Sequence, residues 1–163
     1  MLKNSLLALH LAGLAVTTAL LPVSAQTLTN NFSGVDTLVL RDFIATVSIV
    51  TGEGPEISVS VMSGEPETEP VLVRSQGNKV EVYSEDRPDQ KTFWNRMNWH
   101  RDGDNAFRVF LREYPVVQIA VPEGTKLVLD GLAADLTVGD LNGDIEILST
   151  LFVEGKVGNM RNA

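Results

Sequence analysis

The sequence predicts an all-β protein, and within that class a right-handed parallel β-solenoid, on three observations. Apolar and polar residues alternate in almost every cluster after residue 34. Gly, Asn, Asp and Pro stand between those clusters and supply turns. One pattern also returns along the chain: residues 127–143 read LVLDGLAADLTVGDLNG and residues 145–162 read IEILSTLFVEGKVGNMRN.

The first segment is an address. Residues 1–25, MLKNSLLALHLAGLAVTTALLPVSA, place Lys3 before an apolar run that Pro22 ends, and Val23-Ser24-Ala25 offers the small residues a signal peptidase reads. The run is shorter than the roughly 20 residues needed to span a bilayer. A cleavable signal peptide with a cut after Ala25 is therefore expected, and with it an exported bacterial protein of the periplasm, cell surface or exterior, with no membrane span in the mature chain.

Residues 26–163 are expected to form one domain. The chain has 163 residues, 44% hydrophobic, 21% charged, with a net charge of -8 and no cysteine. The charge argues against nucleic acid, whose phosphates call for clustered Lys and Arg. The missing cysteine excludes a disulfide scaffold, a thiolate zinc site and a Cys nucleophile.

The alternating clusters follow in order. Leu38-Val39-Leu40, Val47-Ser48-Ile49 and Ile57-Ser58-Val59-Ser60-Val61 come first; Val71-Leu72-Val73, Val80-Glu81-Val82 and Phe107-Arg108-Val109-Phe110-Leu111 come next. Val117-Gln118-Ile119-Ala120-Val121, Leu127-Val128-Leu129, Leu136-Thr137-Val138 and Ile145-Glu146-Ile147 complete them. Successive strand side chains point to opposite faces, so each cluster reads as a half-buried strand. Residues 38–54 also lie over 127–143: Leu38, Leu40, Phe43, Val47 and Ile49 fall on Leu127, Leu129, Leu132, Leu136 and Val138. A repeat this short cannot bury its own apolar face, and stacked coils would. An antiparallel sandwich or barrel is the plainer alternative, and residues 55–121 fit an ordinary β-meander better. The repeat motif runs on to Met160-Arg161-Asn162-Ala163 with no capping sequence in view, so a parent with further coils is expected.

Several stretches together resemble the DUF2807/DUF4097 group, the auto-transporter adhesin head (GIN) domains. They are Asn31-Phe32-Ser33-Gly34-Val35 before Leu38-Val39-Leu40, Gly77-Asn78-Lys79-Val80-Glu81-Val82, Val121-Pro122-Glu123-Gly124, and Gly139-Asp140-Leu141-Asn142-Gly143-Asp144-Ile145-Glu146-Ile147. The resemblance implies an exported parallel β-solenoid and no catalytic residues.

Residues 85–106, EDRPDQKTFWNRMNWHRDGDNA, interrupt the pattern with a polar and aromatic insertion. Phe93, Trp94, Trp99 and Arg101 are its candidate interaction surface, since exposed aromatics beside Arg can stack on sugars or anchor a partner. The alternative is a flap whose aromatics cover an edge of the fold. His100 lacks companions for a metal site or proton relay. Asp140, Asn142 and Asp144 begin like a calcium loop, but Ile145 and Leu151 occupy the positions where Gly and Glu are required. Glu53, Glu56, Glu65, Glu67 and Glu69 read as a solvated acidic stretch, with calcium bridging as the lesser reading. No Walker loop, dinucleotide fingerprint or Gly-x-Ser-x-Gly elbow occurs.

The expectation is a non-enzymatic envelope protein without cofactor or metal, an adhesion or interaction module for a glycan or protein ligand. The alternatives are a polysaccharide-binding or polysaccharide-cleaving β-helix and a periplasmic scaffold or sensor accessory.

Overall fold

The computed structural model describes residues 27–97 and 103–160. The expected signal peptide, residues 1–25, lies outside the described residues, as do Trp99, His100 and Arg101.

Two sheets face each other across one aliphatic core. The chain begins with β1 (Thr27–Phe32), β2 (Thr37–Arg41), β3 (Ile44–Thr51) and β4 (Ile57–Met62). β5 (Leu72–Gln76) and β6 (Lys79–Tyr83) follow, then two short helices, α1 (Gln90–Arg96) and α2 (Ala106–Phe110). β7 (Val116–Val121), β8 (Lys126–Asp130), β9 (Leu132–Val138), β10 (Ile145–Ile147) and β11 (Thr150–Val157) close the described chain. The larger sheet has the order β1-β4-β7-β3-β9-β11 and the smaller β10-β8-β2-β6-β5.

This arrangement corrects the all-β solenoid expectation. The fold is mixed α/β, and neither sheet is wholly parallel. β1 pairs antiparallel with β4, and β4 with β7. β5 pairs antiparallel with β6 through a hairpin whose turn is Gly77-Asn78, where Gly77 takes φ +62°. A Gly-Asn pair between two runs favours a two-residue hairpin, which reverses the strand instead of continuing a coil.

Four of the parallel pairs are ones the sequence alignment brings together; β2 with β6 and β3 with β7 are parallel as well. Leu38 and Leu40 neighbour Leu127 and Leu129; Val47 and Ile49 neighbour Leu136 and Val138. β10 lies parallel to β8 with Ile145 beside Leu127, and β11 lies parallel to β9 with Val157 beside Val138. Leu38, Leu40, Val47, Ile49, Leu127, Leu129, Leu136 and Val138 are all buried in the one core. Each such side chain contributes about 1.5–3 kcal/mol on burial, before the cost of ordering the chain.

A second correction falls on Phe107-Arg108-Val109-Phe110-Leu111, expected as a strand. Residues 106–110 are helix α2, and Leu111–Glu113 continue as a 3₁₀ turn. Ala106, Phe107, Phe110, Leu111 and Tyr114 are buried while Arg108 is exposed. Their three- and four-residue spacing is a helical stripe, and it outweighs the shorter alternation of Phe107, Val109 and Leu111.

Candidate functional site

The described part of the insertion packs on the fold. Asp89 starts α1 as its N-cap, its Oδ2 accepting from the Thr92 N–H at 2.7 Å. Hydrogen bonds from Thr92 hold the Asp89 carboxyl below its usual range. The helix then buries Phe93 and Met97 against α2. Phe93 is the hub: its ring meets Trp94, Phe110 and Phe107 edge-on, with centroids 5.0, 5.4 and 6.3 Å away. Phe152 from β11 closes the cluster, 4.6 Å from Phe107 and 5.8 Å from Trp94. Ala133 of β9 and Ile44 of β3 lie beneath it. The aromatic group thus covers the outer face of the larger sheet where β3, β9 and β11 begin.

Beside this cluster lies a cleft of about 270 Å³. Phe43, Ile44, Phe93 and Tyr114 supply its apolar surface, with Thr92 and Pro88 alongside. Five carboxylates, Asp42, Glu67, Glu69, Asp86 and Asp89, and two guanidiniums, Arg87 and Arg96, complete the lining. Both arginines are engaged. Arg96 Nη2 lies 3.3 Å from Glu113 Oε2, and its guanidinium sits over the Tyr114 ring at 5.5 Å. Arg87 Nε lies 3.4 Å from Asp42 Oδ1, and its Nη2 donates to Ser149 Oγ at 3.1 Å. The cleft therefore keeps a net negative lining.

Asp42 sits at the corner between β2 and β3 with φ +57°, a left-handed conformation that a non-glycine residue adopts only when its surroundings impose it. The surroundings are a ladder of corners. The Asp42 N–H donates to the Asp130 carbonyl, and the Gly131 N–H to the Ser149 carbonyl, both at 2.9 Å. Ser149 Oγ donates to Asp130 Oδ1 at 2.6 Å. Gly131 has φ +66°, and a Cβ there would overlap the Asp42 carboxylate. Asp42 Oδ1 is itself buried and has no hydrogen-bond donor among the described residues.

Glu67 and Glu69 reach the cleft because their loop is pinned. The Glu65 N–H donates to the Glu113 carbonyl at 2.8 Å, and Thr68 Oγ1 donates to the Glu65 carbonyl at 2.7 Å. Gly64 lies so close to the Glu113 backbone that a side chain there would not fit.

Burial raises the Tyr114 phenol above its ordinary range, against the opposing pull of Arg96. The neutral phenol is thus the form the fold prefers. Its contribution is intact below the ordinary phenol range and is lost as pH rises through the raised value. Urea midpoints measured across alkaline pH should fall in that window, and Tyr114→Phe should remove that part of the fall.

Of the expected surface residues, Phe93 is buried at 2% exposure and forms the cleft wall from inside the cluster. Trp94 is 37% exposed and packs on Phe93 and Phe152. Trp99 and Arg101 fall outside the described residues. Asp42, Glu67, Glu69 and Tyr114 were not among the residues sequence reasoning singled out as a surface. Asp140, Asn142 and Asp144 lie in and around a turn: Asn142 takes φ +49° and donates to Glu123 Oε1 at 2.6 Å, and Asp140 Oδ1 accepts from the Asn159 N–H at 2.7 Å. Among the described residues no group of three or more His, Asp or Glu could hold a metal ion. Among them, too, no helix is long and apolar enough to cross a membrane.

No family model matches the chain, and no curated protein matches it. Among solved structures it is similar to the crystal structure of a protein from Parabacteroides distasonis described as a "Putative lipid binding protein", at 9% identity and a TM-score of 0.35. The match covers 82% of this chain and 59% of that one, so the chain spans well under two thirds of that protein's length. At that identity and TM-score neither fold nor ligand carries over.

Proposed function

We propose that the protein is a non-enzymatic binding module of the bacterial cell envelope, and that the cleft beside α1 is its ligand site. The observation that carries this reading is the lining itself: five carboxylates against two already engaged guanidiniums, set around Phe43, Ile44, Phe93 and Tyr114. A cation on an apolar body fits that chemistry. Carboxylates pair with ammonium groups, and the apolar residues bordering the cleft suit the body that carries one. At about 270 Å³ the cleft suits a terminal group or side chain of a larger molecule better than a whole drug-sized ligand. The ligand class is accordingly an amine-bearing group on a surface glycan or protein.

Two probes with matched bodies test this by calorimetry: phenethylamine and 3-phenylpropionate. The amine should bind about tenfold or more tightly than the acid, a difference of about 1.4 kcal/mol. Glu67→Gln with Glu69→Gln should weaken the amine and should not weaken the acid, and added salt should weaken the amine. Equal affinities, or no binding of the amine at millimolar concentration, would overturn the reading.

A further inference from the structure

Among the described residues, one end of the two-sheet stack is open. β11 and β10 are the outermost strands of their sheets at this end. Ile147, Leu148, Val153 and Val157 are 61, 60, 36 and 50% exposed there. Three of them belong to rungs of the core: Ile147 neighbours Leu129, Val153 neighbours Ala134, and Val157 neighbours Val138. Each of those inner neighbours is buried. Among the described residues the aliphatic column therefore ends on an uncovered layer, with a bare strand edge along it, which is a template for another strand.

We propose that this end pairs with the same end of a second copy of the chain, β11 against β11 in antiparallel register about a two-fold axis through Gly155. The backbone directions permit it. The Gly158 N–H donates to the Val138 carbonyl at 2.8 Å, so the even-numbered residues of β11 turn their backbone groups toward β9. Alternation leaves the N–H and C=O groups of Val153, Gly155 and Val157 on the open edge. Centred on Gly155, the antiparallel pair places Val153 opposite Val157 of the second copy as a hydrogen-bonded pair, twice over. It places Glu154 opposite Lys156 of the second copy at the intervening, closer-spaced positions, also twice.

The side chains agree with that register. Val153 and Val157 share the core-facing side, so the two uncovered layers cover each other, and Ile147 and Leu148 are brought to the same junction. Glu154 and Lys156 share the outer side, where opposite charges directly across an antiparallel pair are stabilising and like charges are not. Lys156 has no carboxylate partner among the described residues, whereas Glu154 lies 3.7 Å from Arg108, which also reaches Asp135 at 3.4 Å. A two-fold contact of this kind closes on itself, so it yields a dimer and not a fibre.

Sedimentation equilibrium of the purified protein and a charge-swap series tests the register. The unsubstituted protein should be a dimer at micromolar concentration. Lys156→Glu and Glu154→Lys, each of which sets like charges across the axis twice, should each weaken dimerisation about tenfold or more. The double variant E154K/K156E should restore it. Hydrogen exchange on the unsubstituted protein gives a second readout that needs no variant to fold: the amides of Val153, Gly155 and Val157 should become protected as concentration rises. A monomer at all concentrations, association beyond a dimer, single variants that dimerise as tightly as the parent, or edge amides that exchange alike at every concentration would each overturn the proposal.

Discussion

Phe93→Ala is expected to cost about 3–5 kcal/mol and to abolish amine binding together with it. The loss has two sources. Removing a ring that is 2% exposed forfeits its transfer energy and leaves a cavity. It also removes edge-on contacts to Trp94, Phe107 and Phe110, each of which adds to the area term. α1 is only seven residues long, too short to hold itself together in water, so its order depends on this anchor. Without the ring, α1 should detach from β3 and β11, and the cleft should lose one wall. Chemical denaturation measures the first effect and calorimetry with phenethylamine the second. A variant that unfolds at the parent's midpoint would show that the aromatic cluster is decoration on an independently stable sheet pair. Trp94→Ala, at a partly exposed position outside the cleft lining, should cost less stability and spare binding.

Gly155→Ala should rank beside it, at about 2–6 kcal/mol from combined overpacking and backbone strain. Gly155 takes φ +151°, which L side chains rarely adopt, and a Cβ there would overlap the backbone of Leu136. Backbone cannot move aside as a rotamer does. β11 would have to part from β9, and Phe152, on the same strand, would be drawn away from Phe107. The expected signature is a lower denaturation midpoint with fast exchange of the β11 amides. Retention of the parent's stability would mean that β11 sits farther from β9 than the described register places it.

The strands were legible because side-chain alternation is a local signal. Leu38-Val39-Leu40 and Leu127-Val128-Leu129 announce their inward faces, and their shared spacing brings them side by side in the smaller sheet. Strand direction at the margins was not legible. Ile57-Ser58-Val59-Ser60-Val61 reads as a half-buried strand, and it runs antiparallel to β7, a direction that alternation alone does not give because it is the same either way. The Gly77-Asn78 turn was the available clue to reversal in the smaller sheet. Helix α2 was misread because Phe107, Val109 and Leu111 satisfy period two while Ala106, Phe107, Phe110, Leu111 and Tyr114 satisfy period 3.6, and the longer match was the informative one.

The insertion was legible as a special segment, and within it Phe93 is buried against the larger sheet and borders the cleft. The cleft as a whole left no local trace. Asp42 comes from a strand corner, Glu67 and Glu69 from a Pro-flanked loop, and Tyr114 from the end of a 3₁₀ turn. Only long-range pairing, such as the bond from the Glu65 N–H to the Glu113 carbonyl, brings them together. Glu67 and Glu69 look like any solvated acidic run until that bond is known.

Amide chemical-shift mapping during titration with phenethylamine tests the central claim most directly, because it reports where the cation goes as well as whether it binds. Saturable shifts confined to Ile44, Glu67, Glu69, Thr92 and their neighbours, absent with 3-phenylpropionate, are what the acidic aromatic cleft predicts. Shifts scattered over the acidic surface, or centred away from α1, would contradict it.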